Sequence, residues 1–277
     1  MNDVSQSAAT QSIHRLERHL GVQLVDRSRR PFVLTSEGQI CYDGFRSILE
    51  SYDTVVSMVQ NLNAKESGII NVGAIYSVGL HGMKYVMQEF MKSFPKTKVK
   101  LDIMRAGNIY QAIMTSEIDF GIVSFPMASP EITVILLASE RLVYVCSPDH
   151  ELAEQKSISL DQLHGSDFIA FERDQVIRKE IDRHFRQRLA SVNIVAEYEN
   201  IETIKQAVEV GLGGSILPKT SVQTEVRLGK LAAVPIVSPK IMEPLGIIHK
   251  QGKVFTPAMT KFISHLTEYK WDTSDEE

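Results

Sequence analysis

The sequence predicts an α/β fold in three consecutive parts: a small basic head, one long helix and a body of alternating strands and helices. Three observations lead to this prediction. Arginines are concentrated in residues 1–35, apolar residues recur in heptad spacing through residues 36–67, and short apolar runs alternate with helical patterns in residues 68–271. A body built in this way favours mostly parallel sheets covered by helices.

Composition excludes several classes of protein. The 277 residues are 43% hydrophobic, enough for one large or two medium cores. No apolar run approaches the roughly 18 residues of a membrane span, and the N-terminus lacks the basic region and apolar core of a secretory signal. The two cysteines, Cys41 and Cys146, lie far apart without metal-ligand spacing. We therefore expect a cytoplasmic protein without a metal or another cofactor.

Charge is distributed unevenly along the chain. Residues 1–35 carry five arginines against three carboxylates, a net charge of +2, which leaves −6 on the rest of a chain whose total is −4. A small basic head on an acidic body predicts that the head contacts a polyanion.

The basic head begins with a helix predicted from residue 6 to about residue 19. Ser5 can cap it, Gly21 ends it, and apolar residues at three- and four-residue spacing give it one apolar side. The opposite side carries amide, hydroxyl and cationic groups, which can pair with base edges and phosphates in a DNA major groove. An ordinary solvent-facing side is the alternative. The predicted DNA contacts on this helix are Ser5, Gln6, Ser7, Thr10, Gln11, His14 and Arg15.

A β-wing is predicted after this helix. Residues 22–25 and 32–34 favour two short strands, and the basic turn at residues 26–31 joins them. Arginines at the tip of such a wing can contact phosphates. The predicted phosphate contacts are Arg27, Arg29 and Arg30.

Three segments of the head resemble the DNA-binding module of LysR-type transcriptional regulators. Residues 5–17, 20–27 and 34–38 follow, in order, the family patterns S-Q-P-A-V-S, I-x-x-L-E-x-x-L-G-x-x-L-F-x-R and L-T-x-x-G. The resemblance implies a winged helix-turn-helix whose recognition helix is the first helix of this chain. The departures from the pattern are conservative in size or chemistry: Ser7, Ala9, Thr10 and Val25.

The helix-turn-helix is expected to be partial. In the family, a first helix and a helix that packs across the recognition helix would precede Val4. Because those helices bury the apolar side of the recognition helix, we expect that side to be partly exposed here. A start placed too late and a truncated regulator with weak DNA affinity are both open, and operator binding compared with an N-terminally extended chain distinguishes them. The apolar side consists of Ala8, Ile13, Leu16 and Leu20.

Residues 36–67 form the predicted linker and dimerisation helix. Its apolar residues recur in alternating steps of four and three, which is a heptad seam kept for three repeats. The resemblance implies that this helix pairs with the same helix of a second chain, so the operator would be a pseudo-palindrome. An amphipathic helix lying on its own core is the alternative. The seam consists of Cys41, Phe45, Ile48, Tyr52, Val55, Val59 and Leu62.

The body is predicted to form two lobes with a cleft between them. Its predicted strands lie near residues 69–73, 99–103, 119–123, 142–146, 168–171, 194–198, 215–217 and 245–249. Its predicted helices lie near residues 78–94, 109–116, 175–190, 201–210 and 257–269.

The body also resembles the effector-binding domain of the LysR family, whose fold is like a periplasmic solute-binding protein. The matching residues are 72–73, 90–95, 117–122, 147–152 and 208–218, spread along the domain in family order. The resemblance implies a DNA-binding domain at residues 1–35, a linker at 36–67 and an effector domain at 68–271. Lobe one would comprise residues 68–146 and 245–271, and lobe two residues 147–244.

The predicted effector site begins where the first strand of the body ends. Backbone N–H groups at the start of the following helix favour anions, and the Ser77 hydroxyl adds a donor. A helix cap without a ligand is the alternative for Ser77. The resemblance brings Ser124 to the same cleft, whereas the apolar Ile75 and the aromatic Tyr76 leave the effector's chemistry open.

Lobe two is predicted to contribute the start of the helix near residue 175. Gln175, Val176 and Arg178 take the matching place by resemblance, and a guanidinium there could neutralise a carboxylate. A surface salt bridge from Arg178 to Glu172 or Asp174 is the alternative.

Together these observations predict a DNA-binding transcriptional regulator that responds to a small-molecule effector and is not an enzyme. Its predicted partners are double-stranded DNA, an effector for which an anionic group would suit the helix N-termini, and further copies of itself in a dimer or tetramer. RNA polymerase is a further candidate partner, and a membrane is not. The alternatives are a solute-binding receptor and a bilobal enzyme with no DNA role. The first does not fit the wing arginines and the heptad helix, and the sequence shows no acid–base pair or catalytic motif for the second.

Overall fold

The computed structural model describes residues 5–60, 68–79, 83–269 and 271. The chain divides into two compact units, Met1–Gln60 and Asn61–Glu277. None of the helices in the described part of the chain has the length and apolar character needed to cross a membrane.

The first unit is a helix, a small wing and a long helix. The elements are α1 (Gln6–Leu20), β1 (Val25–Asp26), β2 (Val33–Leu34) and α2 (Ser36–Gln60). The Ser5 hydroxyl caps α1 by accepting from the Ala8 N–H at 3.3 Å, and Gly21 ends the helix in the left-handed region at φ 71°. The strands of the wing pair antiparallel, but the first is shorter than predicted and begins only at Val25.

The apolar side of α1 is largely open to solvent. Ile13 and Leu20 are exposed, Leu16 is half-buried, and Glu17 is the buried residue of this helix. Among the described residues of this unit, the apolar side chain that is buried is Leu24, in the loop after α1.

The heptad seam of α2 lies open as well. Ile48 is 63% exposed and Tyr52 64%, and Phe45, Val55 and Val59 are exposed too, while Cys41 is half-buried. Leu62 lies outside the described residues. Within the described part of α2, the seam is therefore not covered by the rest of the first unit.

The second unit contains two lobes, and lobe one is built on a mixed sheet in the order β4-β3-β5-β12-β6. Its elements are β3 (Gly68–Ala74), α3 (Met83–Ser93), β4 (Thr97–Ile103), α4 (Ala106–Met114), β5 (Phe120–Ser124), β6 (Ile132–Cys146), β12 (Met242–Lys250) and α8 (Pro257–Glu268). Apolar cores lie around Phe90, Phe120 and Phe262 and around Ile109, Ile113 and Ile248.

Lobe two packs around Tyr144, Phe168 and Phe185. Its elements are β7 (Ile158–Ser159), a short 3-10 helix (Leu160–Leu163), β8 (Asp167–Phe171), α5 (Val176–Gln187), β9 (Asn193–Tyr198), α6 (Ile201–Glu209), β10 (Ser215–Pro218), α7 (Lys219–Arg227) and β11 (Ala232–Ser238).

Strands β6 and β12 connect the lobes. They pair antiparallel over the whole of β12, from Met242 opposite Arg141 to Lys250 opposite Ile132, and the far end of β6 continues into lobe two against β10 and β11. The predicted α/β fold class is confirmed, but the prediction of mostly parallel sheets is wrong. Parallel pairs join β3 to β4 and β5 and β8 to β9, whereas every other long pairing is antiparallel.

Local patterns failed where a strand serves both lobes. The strand predicted at 142–146 is only the last third of β6, because its first part alternates between half-buried and exposed positions. The prediction also omitted β7, α7 and β11, and the helix predicted from residue 78 is described as α3 from Met83 onward.

The start of α2 explains the spacing of the threonine and glycine in residues 34–38. The Thr35 hydroxyl donates to the Gln23 carbonyl at 2.7 Å and accepts from the Gly38 N–H at 2.9 Å. A Cβ at Gly38 would lie 1.9 Å from the Leu24 carbonyl oxygen, so only glycine allows α2 to approach the loop after α1 this closely.

We expect Gly38→Ala to destabilise the protein by about 1–3 kcal/mol, because backbone must move to admit the methyl group. Gly44→Ala on the same helix is the matched control, since a Cβ there has no neighbour within 4 Å. That control should stabilise the helix by up to about 1 kcal/mol. Urea unfolding followed by circular dichroism measures both, and equal effects would contradict the close approach.

Candidate DNA-contacting surface and effector cavity

Glu17 holds the wing against α1. Its carboxylate accepts from the backbone N–H groups of Leu24 and Val25 at 2.9 and 3.3 Å and from the Arg27 guanidinium at 3.1 and 3.3 Å. His14 Nδ1 lies 3.2 Å away. The hydrogen bond from Arg27 and then that from Leu24 lower the pKa of Glu17 from 4.5 to about 2.

This arrangement changes the role of one predicted DNA contact. Arg27 is bound to Glu17 within the unit, so the structure gives it an internal partner. Arg29 and Arg30 lie exposed in the loop between β1 and β2, and Arg29 Nε is 3.4 Å from Asp26. The tip of the wing therefore keeps two exposed arginines.

The seven predicted DNA contacts on or beside α1 are all exposed. Three of their hydroxyls are used locally: Ser5 and Ser7 bond to each other at 3.0 Å, and Thr10 donates to the Gln6 carbonyl at 2.9 Å. The side chains of Gln11 and Arg15 are exposed on the same helix, where an amide and a guanidinium suit base and phosphate contacts.

A cavity of about 360 Å³ lies between the two lobes. Six of the seven predicted effector contacts line it, and they come from both lobes: Ile75, Tyr76, Ser77, Ser124, Gln175 and Val176. Much of the remaining lining is apolar or aromatic, as a pocket for a small organic molecule requires. These side chains are Met104, Tyr110, Met127, Phe171, Ile177 and Ile201.

The seventh predicted contact, Arg178, does not line this cavity. Its side chain is buried and donates to Asp182 at 3.0 Å, to Glu197 at 2.7 Å and to the Phe171 carbonyl at 2.7 Å. One residue along a helix turns the side chain by about 100°, and here that turn carries Arg178 from the cavity to the side of α5 that packs on β8 and β9. The placement of Arg178 at the effector is therefore corrected to an internal ion pair.

The cation at the cavity is Arg105, which the sequence did not single out. It precedes α4 in lobe one and forms ion pairs with Glu172 and Glu199 of lobe two, with Asp174 at 3.6 Å. The hydrogen bond with Glu199 is the main cause that raises the pKa of Arg105. This cluster connects the lobes across the cavity, and its members are too far apart in sequence for local patterns to reveal.

The second cavity residue that the sequence patterns did not indicate is Glu243, at the start of β12. It lines the cavity although only 1% of its surface is exposed. Burial, and then the neighbouring Glu140, raise the pKa of Glu243 to about 8, and a hydrogen bond with Ser124 opposes that shift. An acid between Met242 and Pro244, in a strand with no other ionisable residue before His249, was the available signal. Among the described residues, no group of three metal-ligating side chains is present.

Two family models match the chain. The model described as the LysR substrate binding domain matches residues 63–271, and that of the bacterial regulatory helix-turn-helix protein, lysR family, matches residues 2–39. The chain belongs to the LysR family. It is a LysR-type transcriptional regulator with an effector-binding domain, and the members of this family are transcription regulators.

Similar proteins cover nearly the whole of this LysR-type regulator. YeiE of Escherichia coli (strain K12), an uncharacterized HTH-type transcriptional regulator, is 27% identical over 262 residues, which span 95% of this chain and 88% of YeiE. YybE of Bacillus subtilis (strain 168) is 26% identical and covers 96% and 91% of the two chains.

Solved structures share the fold. A full-length OxyR variant from Pseudomonas aeruginosa superposes with a TM-score of 0.78 at 21% identity, covering 95% of this chain and 85% of OxyR. CbnR, a LysR family transcriptional regulator, gives 0.65 at 23% identity, covering 95% and 91%.

We expect Glu17→Gln to loosen the wing. The amide cannot replace the charge that binds Arg27, so hydrogen exchange at the Leu24 and Val25 amides should accelerate roughly tenfold or more. Because folding depresses the pKa of Glu17, its stabilising effect is present above about pH 4.5 and is lost as pH falls towards 2. Glu37→Gln, at an exposed carboxylate of α2, is the control, and unchanged exchange in Glu17→Gln would contradict this role for Glu17.

Proposed function

We propose that this regulator binds a small-molecule effector in the cavity between its lobes and changes its DNA contacts in response. The observation that carries the proposal is that six effector contacts predicted from separate parts of the sequence line one cavity. Two structures of similar effector domains support it. QuiR is in complex with shikimate at 24% identity and a TM-score of 0.67, and CcmR of Synechocystis PCC6803 is in complex with 2-PG at 22% and 0.67.

Each of the three predicted domains has one role in this proposal. Residues 1–35 contact operator DNA through α1 and the wing tip, residues 36–67 join two chains, and residues 68–271 bind the effector. The exposed seam of α2 supports a homodimer, and further contacts between dimers would give a tetramer. The protein would act in the cytoplasm, where promoter DNA and RNA polymerase are its macromolecular partners.

Effector binding would act by changing the balance between two arrangements of the lobes. Arg105 and its three carboxylate partners already join the lobes, so an effector has only to favour one arrangement over the other. A change in lobe packing would alter the distance between the two DNA-binding domains of a dimer and the bend of the DNA. Regulation then requires that the effector bind the two assemblies with different affinity.

The predicted anionic effector rested partly on Arg178, which pairs with Asp182 and Glu197. The helix N-termini still favour an anionic effector, whereas the acidic side chains of the cavity disfavour one.

Footprinting on DNA upstream of the gene tests the function directly. We expect protection that changes when a tight-binding ligand is added. Gln11→Ala should weaken protection at the specific site, since one amide–base pairing is worth about 1–3 kcal/mol. Ser77→Trp should keep protection but abolish its response to the ligand, because the indole fills the cavity. A footprint indifferent to every tight-binding ligand would contradict the proposal.

Charge on the seam tests the dimer. Ile48→Asp should convert dimers to monomers at micromolar concentration, because a carboxylate would be buried in an apolar interface. Leu49→Asp is the matched control: it is 62% exposed against 63% for Ile48, but it lies about 100° around the helix from the seam. Analytical ultracentrifugation measures both variants, with circular dichroism to verify folding. Dimers that persist in Ile48→Asp would show that the seam does not join the chains.

A further inference from the structure

Glu243, which lines the cavity, has an unused hydrogen-bonding atom. Its Oε2 is fully buried, and among the described residues it has no hydrogen-bond partner. A buried polar atom without a partner costs about 1–3 kcal/mol. A ligand donor that bonds to Oε2 after a small shift of the cavity wall would remove that cost, so the atom indicates what the cavity binds.

The surroundings of Glu243 hold more negative than positive charge. Glu140 is its direct neighbour across the β6–β12 pair, and Glu140 itself accepts from the Thr220 N–H at 2.7 Å. The ionisable side chains that line the cavity are Arg105, Asp174, Glu199 and Glu243. Arg105, the single cation among them, is already paired with carboxylates of lobe two. A ligand anion would therefore meet an excess of carboxylates, whereas a cation would be attracted.

We infer that the effector is a small amine whose ammonium group binds Glu243 and whose apolar part fills the cavity. This inference rests on the proposed effector site and names its ligand class. An ammonium group offers three N–H donors, so it can reach Oε2 and also the Ser124 hydroxyl that already bonds to Glu243. Met104, Met127 and Phe171 provide apolar walls for the remainder of the molecule.

Binding of an amine would release one proton from the protein. Because the pKa of Glu243 is raised to about 8, its carboxyl group is mostly neutral at pH 7 in the free protein. The amine arrives as an ammonium ion, the Glu243 proton leaves to solvent, and an ion pair of carboxylate and ammonium remains. Affinity should then rise by up to roughly tenfold per pH unit below about pH 8 and level off above it.

Other charged groups also face this region, and a variant separates their effects. They are Glu140 on β6, Arg105 ahead of α4, and Asp174 and Glu199 of lobe two. Glu243→Gln keeps the size of the side chain and all four of these groups but removes the titrating carboxyl. Any pH dependence that survives in this variant belongs to the others.

Isothermal titration of the full chain with three matched probes tests the inference: 2-phenylethylamine, 2-phenylethanol and 3-phenylpropionate. We expect the amine to bind most tightly, to bind about five- to tenfold more tightly at pH 8 than at pH 7, and to release close to one proton on binding at pH 7. The released proton is measured by repeating the titration in buffers of different ionisation enthalpy. Glu243→Gln should weaken amine binding at least tenfold at pH 8 and abolish the proton release.

Glu89→Gln, at an exposed carboxylate of α3, is the control and should leave both quantities unchanged. Circular dichroism and the Tm verify that Glu243→Gln is folded, and Ser124→Ala gives a second variant with an expected smaller loss of amine affinity. Equal amine affinity in the wild type and in Glu243→Gln would overturn the inference, as would the absence of binding by the amine.

If 3-phenylpropionate binds more tightly than 2-phenylethylamine, and Ser77→Trp loses this binding, the inference of an amine is overturned. The proposed effector site would then still stand. Failure of the site itself would be seen separately, as a ligand that binds equally well to the wild type and to Ser77→Trp.

Discussion

The antiparallel pairing of β6 with β12 is the constraint on which the body of this protein depends. It joins nine successive residues of β12 to β6, and the same β6 then continues into the sheet of lobe two. Two lobes that share such a strand are joined where it passes between them. Glu140 and Glu243 are a cross-strand pair beside that point, and β5 brings Ser124 next to it. The cavity thus lies beside the strands that join the lobes.

Local rules predicted much of the chain because its local signals agree with its fold. Ser5 and Gly21 set the ends of α1 through a cap and a left-handed residue, which short-range chemistry decides. The resemblance to the LysR family predicted the two-lobed body, and the family models confirm the family. The prediction failed for β6 and β11, because both strands have partly exposed positions that weaken the apolar pattern.

At the cavity, too, local sequence predicts some of the lining residues, whereas the roles of others depend on contacts that are distant in sequence. The start of α5 brings Gln175 and Val176 to its wall, yet Arg178 on the same helix turns to Asp182 and Glu197. Arg105 and Glu243 acquire their importance only from residues distant in sequence: Glu172, Asp174 and Glu199 for the first, Ser124 and Glu140 for the second. Without those contacts, the sequence patterns assign the cation of the cavity to Arg178 instead of Arg105 and miss the buried Glu243.

Methyl NMR with labelled methionine gives the most direct test that the cavity is the effector site. Met104 and Met127 line it from lobe one, whereas Met114 is exposed on the same lobe outside it. For a ligand that changes the footprint, we expect the methyl signals of Met104 and Met127 to shift in proportion to the change in protection, with that of Met114 unaffected. A ligand that changes the footprint while Met104 and Met127 stay unperturbed would contradict the account.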